Sequence, residues 1–460
     1  DSMRSDIRIL NVDCEFKDEV FRVPLAFGSG VIDSITSFTV RVEVENRIGN
    51  HATGVGNVLL SDLWAFLAHN VSHERKDTAM REVGRLYARK ILDYQEYAHP
   101  LDIYLETIED LKTIARQVEA ELGLESPIPL LAAKLCASPV DAAIHDAFGR
   151  VNGISSYDGY GPEFMSRDLG VYLGPEFKGR YLADYIKKSY EPYIPVFHLV
   201  GGKDRLRQSE ITGSDPEDGF PVSLDEWIKK DGIFCFKIKL RGNDLAWDIQ
   251  RIADINEVVK ENVLFMGTDS GSSGSCRFFY SVDTNEMCES PEYMIELLEK
   301  VREYSPEAFQ AILYLEQPTE RDLSAHRFDM KKLAAIKPVL IDESVTDLES
   351  IDVAHDLGWS GVALKTCKGQ SFTLLSLAKC RSLGMMYSVQ DLTNPGFSLI
   401  QSVGLASRIC PVKGVEYNSR QYIPLADREI QKIHKDVFEV RKGRVGTASL
   451  DALGLGYRCG

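Results

Sequence analysis

The chain has 460 residues, 44% hydrophobic and 27% charged, with no low-complexity tract, enough for a sizeable core and two domains. A formal charge of −16 argues against nucleic acid or an anionic membrane surface as partner, and no apolar run reaches the ~20 residues of a membrane span. Nine cysteines stand singly without a Cys-x-x-Cys pair, so no disulfide framework is expected and a reducing cytoplasm is the expected compartment.

Residues 7–60 read as antiparallel β: 7–12 is a strand, and 37–44 alternates with period two before a turn at 46–50 leads into 52–57. From about 62 to 149 the periodicity is helical, and Ser138-Pro139 reads as the cap and first turn of one helix. Strands followed by helices predict an α+β domain over 1–153. Residues 154–193, rich in Gly, Tyr and Pro, read as a linker or flap.

From 194 to 424 strands and helices alternate. Candidate strands are 194–200, 233–240, 277–283, 311–316, 338–342, 360–365, 385–390 and 412–417. Eight strands with intervening helices predict a (β/α)8 barrel, an α/β fold of the TIM type. A doubly wound open sheet is the alternative, with Gly201-Gly202-Lys203 as a weak candidate for its glycine-rich loop. Residues 425–460 are too short to fold alone and are expected to return to the N-terminal domain.

The stretch 233–240 fixes attention on the barrel mouth. Strand alternation places Lys237 and Lys239 on one face and Phe236 and Ile238 on the other. Two neighbouring ammonium groups need a negative partner or solvent. Later strand ends supply carboxylates: Asp283 in Tyr-Ser-Val-Asp-Thr-Asn, Glu316 in Leu-Glu-Gln-Pro, Asp342 in Ile-Asp-Glu-Ser, with Lys365 ending the following strand. A lone Asp at a strand end is commonly a helix cap. Three acids on successive strand ends, flanked by lysines, instead suggest hard oxygen ligands for Mg²⁺. Lys239 and Lys365 would then face one carbon from two sides. A carboxylate whose charge is offset by the cation has a more acidic α-proton, which one lysine could remove and the other return.

The series Lys-x-Lys, Asp-x-Asn, Glu-Gln-Pro, Asp-Glu-Ser, Lys resembles the enolase superfamily, in its muconate-lactonizing-enzyme-like subgroup, within the mandelate racemase/muconate lactonizing enzyme family. Residues 37–58 resemble the capping domain's strand ending in a Gly-x-Gly turn, 139–153 its signature helix, and 445–457 the returning tail. The mandelate-racemase subgroup would carry an Asp on the sixth strand and a His on the seventh. Here the sixth ends in Lys365, and no His lies near the end of the seventh.

The resemblance implies an N-terminal capping domain completed by the C-terminal tail, and a Mg²⁺ held by Asp283, Glu316 and Asp342. It implies Lys239 and Lys365 as catalytic lysines and Lys237 as the partner of the substrate carboxylate. Asp269, in a Gly/Ser-rich run, is the alternative first ligand. The expected activity is α-proton abstraction from a small carboxylate through an enediolate, giving epimerisation, racemisation or cycloisomerisation, with acid-sugar dehydration as a lyase alternative and a non-catalytic binding module as another. Asp391 on the seventh strand, and Glu416 and Asn418 on the eighth, are candidate substrate contacts. Dipeptide epimerases of the family carry Asp-x-Asp in place of Glu416-x-Asn418, which weighs against a dipeptide substrate. Association into homo-oligomers is also an expectation from the family.

Overall fold

A computed structural model describes residues 2–27, 30–263 and 277–458. Its first unit is an antiparallel sheet in which β1 (Ile7–Phe27) pairs with β2 (Gly30–Asn46), and β2 with β3 (His51–Leu59). Along β2, Phe38, Val40, Val42 and Val44 are fully buried against helices, while Arg41 faces solvent. Alternation in the sequence thus becomes one wet face and one packed face.

Two local expectations change here. The Gly-x-Gly of residues 54–56 lies inside β3 rather than in a turn. A Cβ at Gly54 would fall 2.2 Å from the Ala143 carbonyl oxygen, and one at Gly56 would fall 2.1 Å from that of Pro139. The glycines let the strand lie directly on the helix Leu130–Val151. That helix also continues through Ser138-Pro139, where the sequence suggests a start. Pro139 cannot donate to the Leu135 carbonyl, and Ser138 Oγ donates to it instead at 2.7 Å.

Residues 155–192 do not project as a flap. They form short helical turns whose Tyr157, Tyr160, Leu169, Phe177 and Leu182 are buried in the main core.

The second unit is a closed parallel barrel. Its strands are β4 (Tyr193–Val200), β5 (Cys235–Lys239), β6 (Phe279–Asp283), β7 (Ile312–Glu316), β8 (Val339–Ile341), β9 (Gly361–Lys365), β10 (Met386–Gln390) and β11 (Val415–Glu416). Neighbours pair in sequence order, and β11 returns to pair with β4, which excludes the open doubly wound sheet. The tail adds β12 (Arg444–Gly446) antiparallel to β4. It then reaches the helix Leu130–Val151, where the buried Asp146 accepts from Leu455 N and Val55 N, each at 2.9 Å. One carboxylate therefore joins tail, sheet and helix. No described helix is long and apolar enough to cross a membrane.

Two buried histidines near this junction generate a pH dependence. His99 Nε2 donates to the Gly159 carbonyl, and His145 lies between Tyr160 OH and Ser371 Oγ. Burial pushes their pKa values down to about 4 and about 3. Below the ordinary value of about 6.5, the unfolded chain takes up protons that the folded chain refuses, and each histidine then costs about 1.4 kcal/mol per pH unit. Urea unfolding midpoints are expected to fall steadily from pH 6.5 to about 4. The decline should be shallower in His145→Gln.

Candidate active site

The site begins with strand register. Lys239 on β5 stands level with Asp283 on β6, and Asp283 level with Glu316 on β7. Asp342 follows the last residue of β8, and Lys365 ends β9. Both faces of β5 are buried: Phe236 and Ile238 pack outward in the apolar core, while Lys237 and Lys239 point inward to the acids. The barrel thus turns the period-two pattern into an apolar wall outside and a charged mouth inside.

Lys237 Nζ lies 2.8 Å from Glu316 Oε2, 3.1 Å from Glu416 Oε2 and 3.4 Å from Asp283 Oδ2. Lys239 Nζ is 2.6 Å from Asp283 Oδ2, and Lys365 Nζ is 2.7 Å from Asp342 Oδ2. The structure therefore brings Lys237, Lys239, Lys365, Asp283, Glu316 and Asp342 into one buried cluster. Asp391, Glu416 and Asn418 join it from β10 and β11. Asn418 Nδ2 donates to Glu416 Oε1 at 2.8 Å and to Asp391 Oδ1 at 3.2 Å. Asp269 lies outside the described residues.

Four further residues complete the site. Lys368 lies 3.4 Å from Asp342 Oδ1 and also donates to the Asp342 carbonyl. Its position three residues after Lys365, where strand gives way to helical turn, is the one sequence signal for it. Gln317 is fully buried: its Oε1 accepts from Asp342 N at 2.8 Å and Ser344 N at 3.2 Å, while its Nε2 donates to Ser344 Oγ at 2.8 Å. This amide is why Glu-Gln-Pro and Asp-Glu-Ser act together: one motif holds the turn of the other. Gln390 satisfies both ends of its amide when the nitrogen donates to Glu316 Oε1 at 2.6 Å and the oxygen accepts from Ser388 Oγ. Trp64, from the N-terminal unit, places its ring 4.6 Å from Lys365 Nζ. Nothing in the sequence distinguishes Trp64 from an ordinary core aromatic.

The electrostatics follow from crowding. Burial drives the Glu316 pKa well above the ordinary carboxylate value, and the neighbouring Asp283 and Asp342 add to the rise. Burial would also raise those two, but Lys239 and Lys237 outweigh it at Asp283, and Lys365 and Lys368 outweigh it at Asp342, so both are lowered. Burial would depress the Lys365 ammonium; Asp342 and Glu316 outweigh that and hold its pKa above the lysine norm. Asp391 is pushed up to about 7 by burial and by Glu416.

Six buried carboxylates (Asp283, Glu316, Asp342, Glu343, Asp391, Glu416) here face four buried lysines (Lys237, Lys239, Lys365, Lys368). As the side chains stand, no three acidic or ligating groups among the described residues enclose a metal position, because ammonium groups lie between the carboxylates. The donor set still fits a hard divalent cation: Asp283, Glu316 and Asp342 offer only oxygen, and Asp342 Oδ1 is buried without a hydrogen-bond partner among the described residues. The cavity that remains among these groups is about 30 Å³, roughly one water's share of liquid volume, walled by Leu25 and Trp64 from the N-terminal unit.

No family model matches the chain, and no curated protein matches it in sequence. Solved structures do match in three dimensions. A dipeptide epimerase from Enterococcus faecalis V583, complexed with Mg and the dipeptide L-Leu-L-Tyr, superposes with a TM-score of 0.60 at 15% identity, over 98% of this chain and 100% of that one. A muconate lactonizing enzyme from Mycobacterium smegmatis, complexed with muconolactone, gives 0.60 at 14% identity over 98% and 97%. An N-succinyl Arg/Lys racemase from Bacillus cereus ATCC 14579 gives 0.61 at 16% identity over 98% and 96%. From N-terminal sheet through closed barrel to returning tail, the chain shares the fold of these enzymes.

Proposed function

We propose that the chain is a Mg²⁺-dependent enzyme of the enolase superfamily that moves the α-proton of a carboxylate substrate, with epimerisation or racemisation as the outcome. One observation carries the reading. Lys239 and Lys365 end the second and sixth of eight barrel strands, diametrically opposite each other, and the three strands between them carry Asp283, Glu316 and Asp342 at or just past their ends. A carbon held at the centre would have an amine on each face.

Each residue then has a task. Mg²⁺, when bound to the three carboxylates, supplies charge that offsets the negative charge growing on the substrate carboxylate as the proton leaves. Lys237, at the centre of the cluster, faces the same carboxylate with its ammonium. One of the two opposed lysines accepts the α-proton in its neutral form, and the other donates from its ammonium to the opposite face, so that configuration inverts. Reversing the two protonation states reverses the direction. Gln317 keeps Asp342 and its turn in place, and Trp64 with Leu25 keeps bulk water out.

Glu416 is engaged by Lys237 and Asn418, and the neutral Asn418 halves the charge available to a substrate ammonium, which supports a substrate other than a dipeptide. A second reading, acid-sugar dehydration, rests on Asp391: a buried acid with a pKa of about 7 beside the lysines is suited to protonate a leaving hydroxyl.

Two measurements test the proposal. In D₂O, a library of chiral carboxylates is screened for α-proton exchange; Lys239→Ala and Lys365→Ala should each lower exchange from one enantiomer by about 10²- to 10⁴-fold and largely spare the other. Unchanged exchange from both enantiomers in both variants sinks the assignment, and keto-acid formation from sugar acids would favour dehydration. Separately, Mg²⁺ should stabilise the wild-type chain against heat, by about 2.7 kcal/mol at a hundredfold excess over Kd. Asp342→Asn should abolish that gain.

A further inference from the structure

On the outer wall of the barrel, away from the charged mouth, lies a cavity of about 310 Å³. It is framed by the helix Leu224–Asp231, by Pro395-Gly396 after β10 and by residues 417–441 after β11. The two cavities share no lining residue. Glu416 and Asn418 line the inner one, and Tyr417 between them lines the outer, as strand alternation requires. The loops after the seventh and eighth strands are also where (β/α)8 barrels frequently hold phosphate groups.

Rings and cations make up this wall. Phe220, Trp227, Tyr417 and Phe438 supply the rings, and Lys230, Arg420, Arg428 and Arg441 face two acids, Asp231 and Glu439. Both acids are taken: Arg420 Nε donates to Asp231 Oδ2 at 2.8 Å, and Arg441 pairs with Glu439. Asp427, behind Gly396, feels Lys17, Glu15 and Arg41 of the N-terminal sheet instead. The Lys230 ammonium meets only rings, at 5.3 Å from Phe220 and 5.5 Å from Trp227. The Arg428 side chain makes no ion pair or hydrogen bond with any described residue. Two cations are left over.

Arg420 is fixed in place between them. Its side chain is 12% exposed, and its guanidinium lies 4.9 Å from the Trp227 ring centre. Nη1 donates to the Tyr417 carbonyl at 3.0 Å, and Nη2 donates to His198 Nδ1 at 2.8 Å. A guanidinium carries five N–H donors. Three are engaged here, so two have no partner among the described residues. Exposed lysines and arginines alone would be ordinary solvated charges. A held guanidinium with two open donors, set among aromatic rings, is built to meet an oxyanion.

We propose that this cavity binds an aromatic phosphomonoester, with the phosphate on Arg420, Lys230 and Arg428 and the ring against the aromatic wall. A phosphomonoester carries about −1.5 to −2 charge near neutral pH, which matches two unpaired cations where a carboxylate would match one. The volume suits one ring system with its phosphate. The site stands independently of the reaction proposed for the barrel mouth.

Calorimetry on the full chain without added Mg²⁺ compares 1-naphthyl phosphate with 1-naphthol, 1-naphthoate and inorganic phosphate. The naphthyl phosphate is expected to bind at least about tenfold more tightly than any of the other three. Lys230→Ala and Arg428→Ala remove exposed side chains that hold no ion pair, so both should fold. Each should weaken naphthyl phosphate by roughly three- to tenfold and leave naphthol within about twofold. Arg420→Lys, which keeps the charge and loses the planar donors, should weaken it several-fold; if that variant does not fold, the two surface variants decide alone. Asp342→Asn, at the barrel mouth, should change nothing. Equal binding of naphthyl phosphate and naphthol, unchanged affinity in both surface variants, or loss of binding in Asp342→Asn overturns the site. Naphthoate binding as tightly as the phosphate overturns the choice of ligand class.

Discussion

Asp283, Glu316 and Asp342 are buried side by side, and that constraint shapes the rest of the site. A single ionised carboxylate taken out of water costs several kcal/mol after relaxation, and three adjacent ones add mutual repulsion. The cluster persists because Lys237, Lys239, Lys365 and Lys368 are buried with it. Lys237 does most of the neutralising, since its ammonium is shared among acids from three different strands. Glu316, its pKa raised by burial and by the neighbouring acids, holds a proton more readily than an exposed carboxyl. Under the proposed function, Asp283, Glu316 and Asp342 would hold a divalent cation whose charge would offset their repulsion.

Everything around the cluster serves to keep it in register. The parallel barrel sets Lys239, Asp283 and Glu316 level. Gln317, strained into a positive φ of 34°, spans to the next turn and fixes Asp342. At the far end of the molecule, Asp146 joins the helix Leu130–Val151 to β3 and to the returning tail, so the sheet that delivers Leu25 and Trp64 is anchored behind as well as in front. Arg22 adds a second anchor: it pairs with Asp218 through two nitrogens and donates to the carbonyls of Phe220, Pro221 and Gln421, joining β1 to loops of the barrel. The N-terminal unit is therefore part of the wall of the charged cavity and not an appendage.

Much of this was legible before any coordinates. Lys237-x-Lys239 could be assigned to one face because strand alternation is strict, and the acids at 283, 316 and 342 could be grouped because strand ends in a closed barrel must converge. Other features resisted for identifiable reasons. Ser138-Pro139 carries the local chemistry of a helix start, yet Ser138 Oγ substitutes for the missing amide and the helix runs on. Gly54-x-Gly56 suggests a turn, but what required glycine was a helix backbone lying about 2 Å from where a Cβ would be. The composition of 155–192 suggested a loop, although its aromatics supply core.

The sequence by itself determined the architecture and the grouping of lysines and acids at the strand ends, because both depend on periodicity and on residue types at strand ends, which are local properties. Tertiary structure alone decided which carboxylate each lysine meets and that Lys368 and Gln390 belong to the cluster. It alone decided that Trp64 stands over Lys365 at the mouth, and that Glu343, one residue beyond Asp342, lines both the inner cavity and an outer one. These are contacts between segments tens to hundreds of residues apart, and their energies depend on burial and distance, which no single stretch of chain encodes.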